Sequence, residues 1–118
     1  MPRQLVRIIL SLVLLGVLTP AAHAVARFAP ATGNWSAAGT WKTACTGGLA
    51  SGVPVAGDDV VICTSVPAVT VTLDVNSASL NTLTIQATGV LNIGSAAART
   101  LTVAGTLTNF GTLQYSTG

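Results

Sequence analysis

The chain has 118 residues, half of them hydrophobic and only 7% charged, with five basic and three acidic residues, one His and a formal net charge of +2. So apolar a composition is not that of a disordered chain, which needs low hydrophobicity and high net charge. Nor does it supply the basic stripe that nucleic-acid binding requires.

Residues 1–24 read as a cleavable export signal. Arg3 and Arg7 form a positive start, and Ile8 to Leu18 is apolar apart from Ser11 and Gly16. Pro20 then ends any helix, and Ala22-His23-Ala24 is a small-x-small cleavage site that predicts a cut between Ala24 and Val25. The apolar run is far short of the roughly 20 residues of a membrane span, so no permanent span is expected after cleavage. No Cys follows Ala24, which argues against a lipoprotein.

Removing the signal takes away the excess charge. What remains holds Arg27, Lys42 and Arg99 against Asp58, Asp59 and Asp74, and has neither His nor Glu. Residues 25–118 are enough for one small domain. Cys45 and Cys63 are the only cysteines, and an oxidising compartment predicts a disulfide between them. Closing a loop of that size is worth about 3 kcal/mol in the chain-entropy description. Two free thiols or a metal pair are the alternatives, although a metal would find few ligands here.

Residues 25–57 are punctuated by Pro30, Gly33, Gly39, Gly47, Gly48, Gly52, Pro54 and Gly57, and read as an irregular cap. Strands are expected from residue 58 to 118. Val60-Val61-Ile62 follows the turn signal Gly57-Asp58-Asp59, and Val69 to Val75 alternates apolar with polar residues. Leu83-Thr84-Ile85, Leu91-Asn92-Ile93, Leu101-Thr102-Val103 and Leu113-Gln114-Tyr115 are minimal in-out-in strands, with turns expected at Gly89, Gly94, Gly105 and Gly111. The phrase leading from Leu83 to Leu91 recurs from Leu101 to Leu107. A period of about 18–23 residues built from such short strands predicts an all-β solenoid, in which stacked coils make one continuous core. Ile85, Leu91, Ala97 and Val103 fall at hexapeptide spacing, but the pattern fails before Ile85 and at Asn109. A right-handed parallel β-helix is therefore preferred, with a small antiparallel β-sandwich as the alternative. The pattern breaks off at Gln114-Tyr115-Ser116-Thr117-Gly118. This suggests the N-terminal part of a longer protein, or a truncated gene product.

Two phrases carry a family resemblance. One is Asn34-Trp35-Ser36-Ala37-Ala38-Gly39-Thr40-Trp41, followed by Cys45. The other runs from Gly52-Val53-Pro54 through Asp58-Asp59 to Ile62, and leads into Val69–Val75 and the Leu-Thr-Ile repeats. Together they resemble the N-terminal region of bacterial secreted β-helix surface proteins, similar to the MshQ-like proteins of mannose-sensitive haemagglutinin pilus biogenesis and to adhesin-like proteins. The resemblance implies a secreted or outer-surface location reached through the periplasm, and a structural or adhesive role associated with pili. The implied partners are a surface polysaccharide or pilus and surface-assembly components. The alternative is the carbohydrate-binding front end of a polysaccharide-active enzyme.

Trp35 and Trp41 are the candidate glycan contacts, since an exposed indole face stacks on sugar rings. The competing reading makes both of them a cap that hides the open end of the first coil, with each indole N–H paired. Asp58-Asp59 raises the question of calcium, but calcium needs six to eight oxygens and Asp74 is the only other acid, so a turn is preferred. Thr70-Val71-Thr72, Thr82-Leu83-Thr84, Thr100-Leu101-Thr102 and Thr106-Leu107-Thr108 do not fall one per coil, which argues against an ice-binding array; Thr simply suits strands. Asn81, Asn92 and Asn109 suit turns or side-chain ladders, and Asn34-Trp35-Ser36 matches a glycosylation sequon of little use to a bacterium. No catalytic residue, metal site or cofactor is expected in this segment. Without His or Glu there is no evident acid–base pair and no base to activate a serine.

Overall fold

The computed structural model describes residues 24–94 and 97–116. The described chain is all-β with one short 3-10 turn at Ala38–Thr40. Ten strands follow in chain order: β1 (Ala26–Ala29), β2 (Gly33–Asn34), β3 (Lys42–Ala44), β4 (Gly47–Ala50) and β5 (Asp59–Ile62), then β6 (Thr70–Leu73), β7 (Ser79–Ile85), β8 (Val90–Ile93), β9 (Thr102–Asn109) and β10 (Thr112–Tyr115). They form two open sheets, one of six strands in the order β4-β3-β1-β5-β7-β9 and one of four in the order β10-β8-β6-β2.

Pairing is parallel throughout the four-stranded sheet and along β1-β5-β7-β9. Antiparallel pairing is confined to β1–β3 and β3–β4. From β5 onward the chain alternates between the two sheets, so each strand's next parallel partner lies about 20–24 residues further on. The register lines up like with like. Val60 sits beside Leu83 and Ile62 beside Ile85 in one sheet; Val71 sits beside Leu91 and Leu73 beside Ile93 in the other.

This register explains why in-out-in triplets suffice. Alternate side chains of a strand point to opposite faces, and aligned triplets stack their inward residues into one apolar column. Val60, Ile62, Val71, Leu73, Leu80, Leu83, Ile85 and Leu91 are all fully buried between the sheets. Each contributes about 1.5–3 kcal/mol by leaving water. In the four-stranded sheet one outward row aligns Asn34, Thr72, Asn92 and Gln114.

Three local expectations change. Residues 25–57 are not an irregular cap: they hold four short strands, and β1 pairs with β5 along its whole length. The partner supplies a register that the segment's own composition does not reveal. Gly105 is no turn but lies inside β9. There the register with β7 slips, from Leu80 beside Val103 to Thr82 beside Thr106. A Cβ at Gly105 would collide with the Asn81 carbonyl, so glycine lets the two backbones close over this bulge. Val75, expected inward, falls beyond the end of β6 and is exposed.

Candidate functional site

The end of the sheets that carries β1 and β2 concentrates the side chains singled out by sequence. Trp35 follows β2, and its N–H donates to the Thr72 carbonyl at 2.8 Å, fixing it over β6. Beside it, Asp74 accepts from the Ser36 N–H at 2.9 Å and from the Ser36 hydroxyl. Burial raises the Asp74 carboxyl, but the two Ser36 bonds and the positive Arg99 outweigh it and hold the pKa below the usual carboxylate range. The 3-10 turn then brings Trp41 back against Trp35. The indoles meet edge to face at 4.9 Å between centroids, and Trp41 Nε1 donates to the Trp35 carbonyl at 2.8 Å.

Both indoles are buried, Trp35 at 1% and Trp41 at 0% exposure. Neither offers a face to a sugar ring, which removes the basis for direct glycan stacking by this pair. Their aromatic surface is taken up by the core, where an indole serves because its one polar atom finds a carbonyl.

Asp58 and Asp59 part company, because successive residues entering a strand face opposite ways. Asp59 turns outward and accepts from Asn81 Nδ2 at 2.8 Å and Thr82 Oγ1 at 2.7 Å. Asp58 turns inward and is 1% exposed. Arg27, which shares its register row with buried Val60, also faces inward and pairs through Nε with the Asp58 carboxylate. The same guanidinium donates through Nη1 to the carbonyls of Ser51 and Gly52. Asp58 further accepts from the N–H groups of Val55 at 2.8 Å and Val25 at 3.3 Å. Burial pushes its carboxyl up, but the Val55 N–H, Arg27 and the Val25 N–H together hold it below the usual range. One carboxylate thus ties the start of β1, the 51–55 loop and the entry to β5. Sequence reasoning missed this pair, and no local pattern joins positions 27 and 58. The available signal was only that Asp58 is one of very few charges in an apolar chain.

Cys45 and Cys63 form a disulfide, with their Cα atoms 5.7 Å apart. It fastens the β3–β4 turn to the residue after β5, whose N–H also donates to the Ala29 carbonyl. The three expected Asn residues do not form one ladder. Asn81 bonds Asp59, Asn109 Oδ1 accepts from the Gly111 N–H, and Asn92 Oδ1 is buried without a partner.

The face of the six-stranded sheet turned away from the core is polar along β7 and β9, and apolar where Val61 of β5 and Phe28 of β1 continue the Thr84 row. Thr82 and Thr84 on β7 lie in register with Thr106 and Thr108 on β9, and Asp59 continues the Thr82 row on β5. Two of the Thr-x-Thr phrases are therefore neighbours across the sheet, although their spacing in the sequence hides it. These hydroxyls and one carboxylate can donate and accept hydrogen bonds, and among the described residues no imidazole or second carboxylate shares this face with them. Among the described residues, no three His, Cys, Asp or Glu side chains come close enough to hold a metal. No helix among them is long and apolar enough to cross a membrane. Residues 1–23 of the expected export signal lie outside the described residues, while Ala24 and Val25, which flank the expected cut, are exposed.

Residues 40–117 match the G8 domain, a module seen in extracellular and secreted proteins. No curated protein and no solved structure matches the chain. The match takes in Trp41, both cysteines, the Arg27 partner Asp58 and every strand from β3 to β10. With the disulfide, it points to an extracellular or secreted location. A match over more than half of its length makes the chain a member of the G8 domain family.

Proposed function

We propose that this chain is a structural and adhesive module of a bacterial surface protein, exported through the periplasm after cleavage behind Ala24. Its strands are the first coils of a right-handed parallel β-helix that continues into a larger, pilus-associated protein. The observation that carries this reading is the alternation of β5 to β10 between two sheets with parallel registers. A strand that returns beside itself through an intervening connection does so right-handedly in nearly all known cases. Such coils give a rigid stalk with polar rows on β7 and β9, which suits display more than chemistry.

A second reading is favoured by that face. Asp59, Asn81, Thr82, Thr84, Thr106 and Thr108 offer a surface polysaccharide hydrogen-bonding groups without aromatic stacking. This would be the carbohydrate-binding front end of a polysaccharide-active enzyme. The experiment that separates the readings uses the secreted chain. Antibody labelling of intact producing cells, together with loss of adherence on deletion of the gene, supports the adhesive module. Absence of surface label overturns it. Glycan-array binding abolished by Thr84→Lys with Thr108→Lys, with adherence unaffected by deletion, supports the carbohydrate-binding front end instead.

A further inference from the structure

The Val25 N–H that reaches Asp58 is the nitrogen that the expected cut would liberate. In the uncut chain this nitrogen is a neutral amide 3.3 Å from Asp58 Oδ1. Hydrolysis of the Ala24–Val25 bond by an endopeptidase of the export machinery consumes one water. It leaves a carboxylate on Ala24 and an amine on Val25, which takes up a proton at neutral pH. We infer that Asp58 is a receptor for the new α-ammonium of Val25, so that removal of the leader completes an ion-pair cluster at the start of β1. This rests on the reading of export with cleavage behind Ala24.

Three observations support the inference. First, the nitrogen is already held in place. The Val25 carbonyl accepts from the Asp59 N–H at 3.0 Å, so the residue is anchored to β5 from its other side. Second, one oxygen of the buried carboxylate is left to this nitrogen. Arg27 and the Val55 N–H engage Asp58 Oδ2, Arg27 also serves the Ser51 and Gly52 carbonyls, and among the described residues Oδ1 accepts only from Val25. Asp59 lies on the opposite face, bonded to Asn81 and Thr82, and Lys42 of β3 shares that outward side through its register with Phe28. Third, Ala24 and Val25 are exposed and precede the first strand, so a peptidase can reach the bond without opening a sheet.

The consequence is directional. A chain still carrying its leader lacks this charge, whereas export through the translocon favours an unfolded precursor. The contact strengthens only after the leader is gone. A positive group beside a buried carboxylate has its pKa raised. Stability from the pair is then fully present below the ordinary α-amino value, about 7.7–8.0, and is lost as pH rises through the raised value.

The test uses the full precursor secreted from a bacterial host, alongside a form with one Ala inserted between Ala24 and Val25. In the inserted form Val25 keeps a neutral amide at the same place. N-terminal sequencing should read Val25 in the parent. NMR titration of the Val25 α-amino group should give a pKa about one unit above its ordinary value, a tenfold shift in proton affinity. At pH 6.5 the inserted form should melt lower, on the order of 4 °C, and the gap should close as the pH is raised towards 10. In an Asp58→Asn background the gap should disappear; if that variant does not fold, the titration of the parent decides alone. A mature chain beginning elsewhere removes the processing step on which the inference rests. A chain that begins at Val25 with an ordinary α-amino pKa refutes the ion pair and leaves the export reading standing.

Discussion

Replacing Trp41 by Phe separates a structural indole from a ligand-binding one. Trp41 is fully buried, and its Nε1 donates to the Trp35 carbonyl at 2.8 Å. Phenylalanine keeps most of the aromatic contact but deletes the donor and the outer part of the indole. The Trp35 carbonyl then lacks its indole partner, which costs about 1–3 kcal/mol. The lost apolar volume adds about 1 kcal/mol, and the altered edge-to-face contact costs a further fraction. The sum is a loss of about 2–4 kcal/mol, a large part of the 5–15 kcal/mol that holds a typical domain. Urea unfolding of the oxidised chain from Val25 onward, followed by tryptophan fluorescence and circular dichroism, would show the loss as a lower midpoint at constant slope. Thr108→Val on the outward face is the control and should stay within about 0.5 kcal/mol. A Trp41→Phe chain as stable as the parent would refute the reasoning, most sharply if it had also lost affinity for a polysaccharide.

Acid should unfold the domain through its two stapled carboxylates. Asp58 and Asp74 both have lowered folded pKa values, so their contribution is present above the ordinary value of about 3.9 and is lost as pH falls through the lower folded values; urea midpoints between pH 2 and 6 should show it, and Asp58→Asn should flatten the slope. Gly111→Ala should cost about 1–3 kcal/mol in the same urea assay, because its Cβ would meet the Gly89 and Gln86 carbonyls, whereas Gly39→Ala, with open space around it, should be nearly neutral.

The two halves of the described chain differ in how legible they are. From Val60 to Ile93, triplets such as Leu83-Thr84-Ile85 announce strands, because a stacked parallel register rewards period two with burial on one side only, whereas β10 at the edge of its sheet leaves both Leu113 and Tyr115 exposed and Leu101 falls before β9. Before Val60 that logic fails. β1 contributes Ala29 as its one fully buried residue, and its other inward position is Arg27, which no hydrophobic pattern marks as interior. Arg27 faces inward because Asp58 neutralises it there, and the partner is fixed by a β1–β5 register that spans most of the first half of the domain. The tryptophans show the same limit. Sequence spacing marks Trp35 and Trp41 only as two aromatics near one end; it is the 3-10 turn at Ala38–Thr40 that folds one indole onto the other and withdraws both from solvent. Gly105 is not legible as a bulge, because a glycine at a bulge and a glycine at a turn look alike until the neighbouring strand is known.

This division also says where function can vary. Inward positions are committed: they carry the apolar columns, the indole pair and the Arg27–Asp58 cluster, and a change at any of them is felt as stability. Outward positions are constrained by little more than strand propensity except where they bond across the sheet, as Thr82 does to Asp59, so Thr84, Thr106 and Thr108 can be exchanged without disturbing what holds the sheets together. Any recognition that depends on side chains of the six-stranded sheet must therefore be written on this face. Variants there should change binding while leaving the unfolding midpoint in place, and variants at the indole pair should do the reverse.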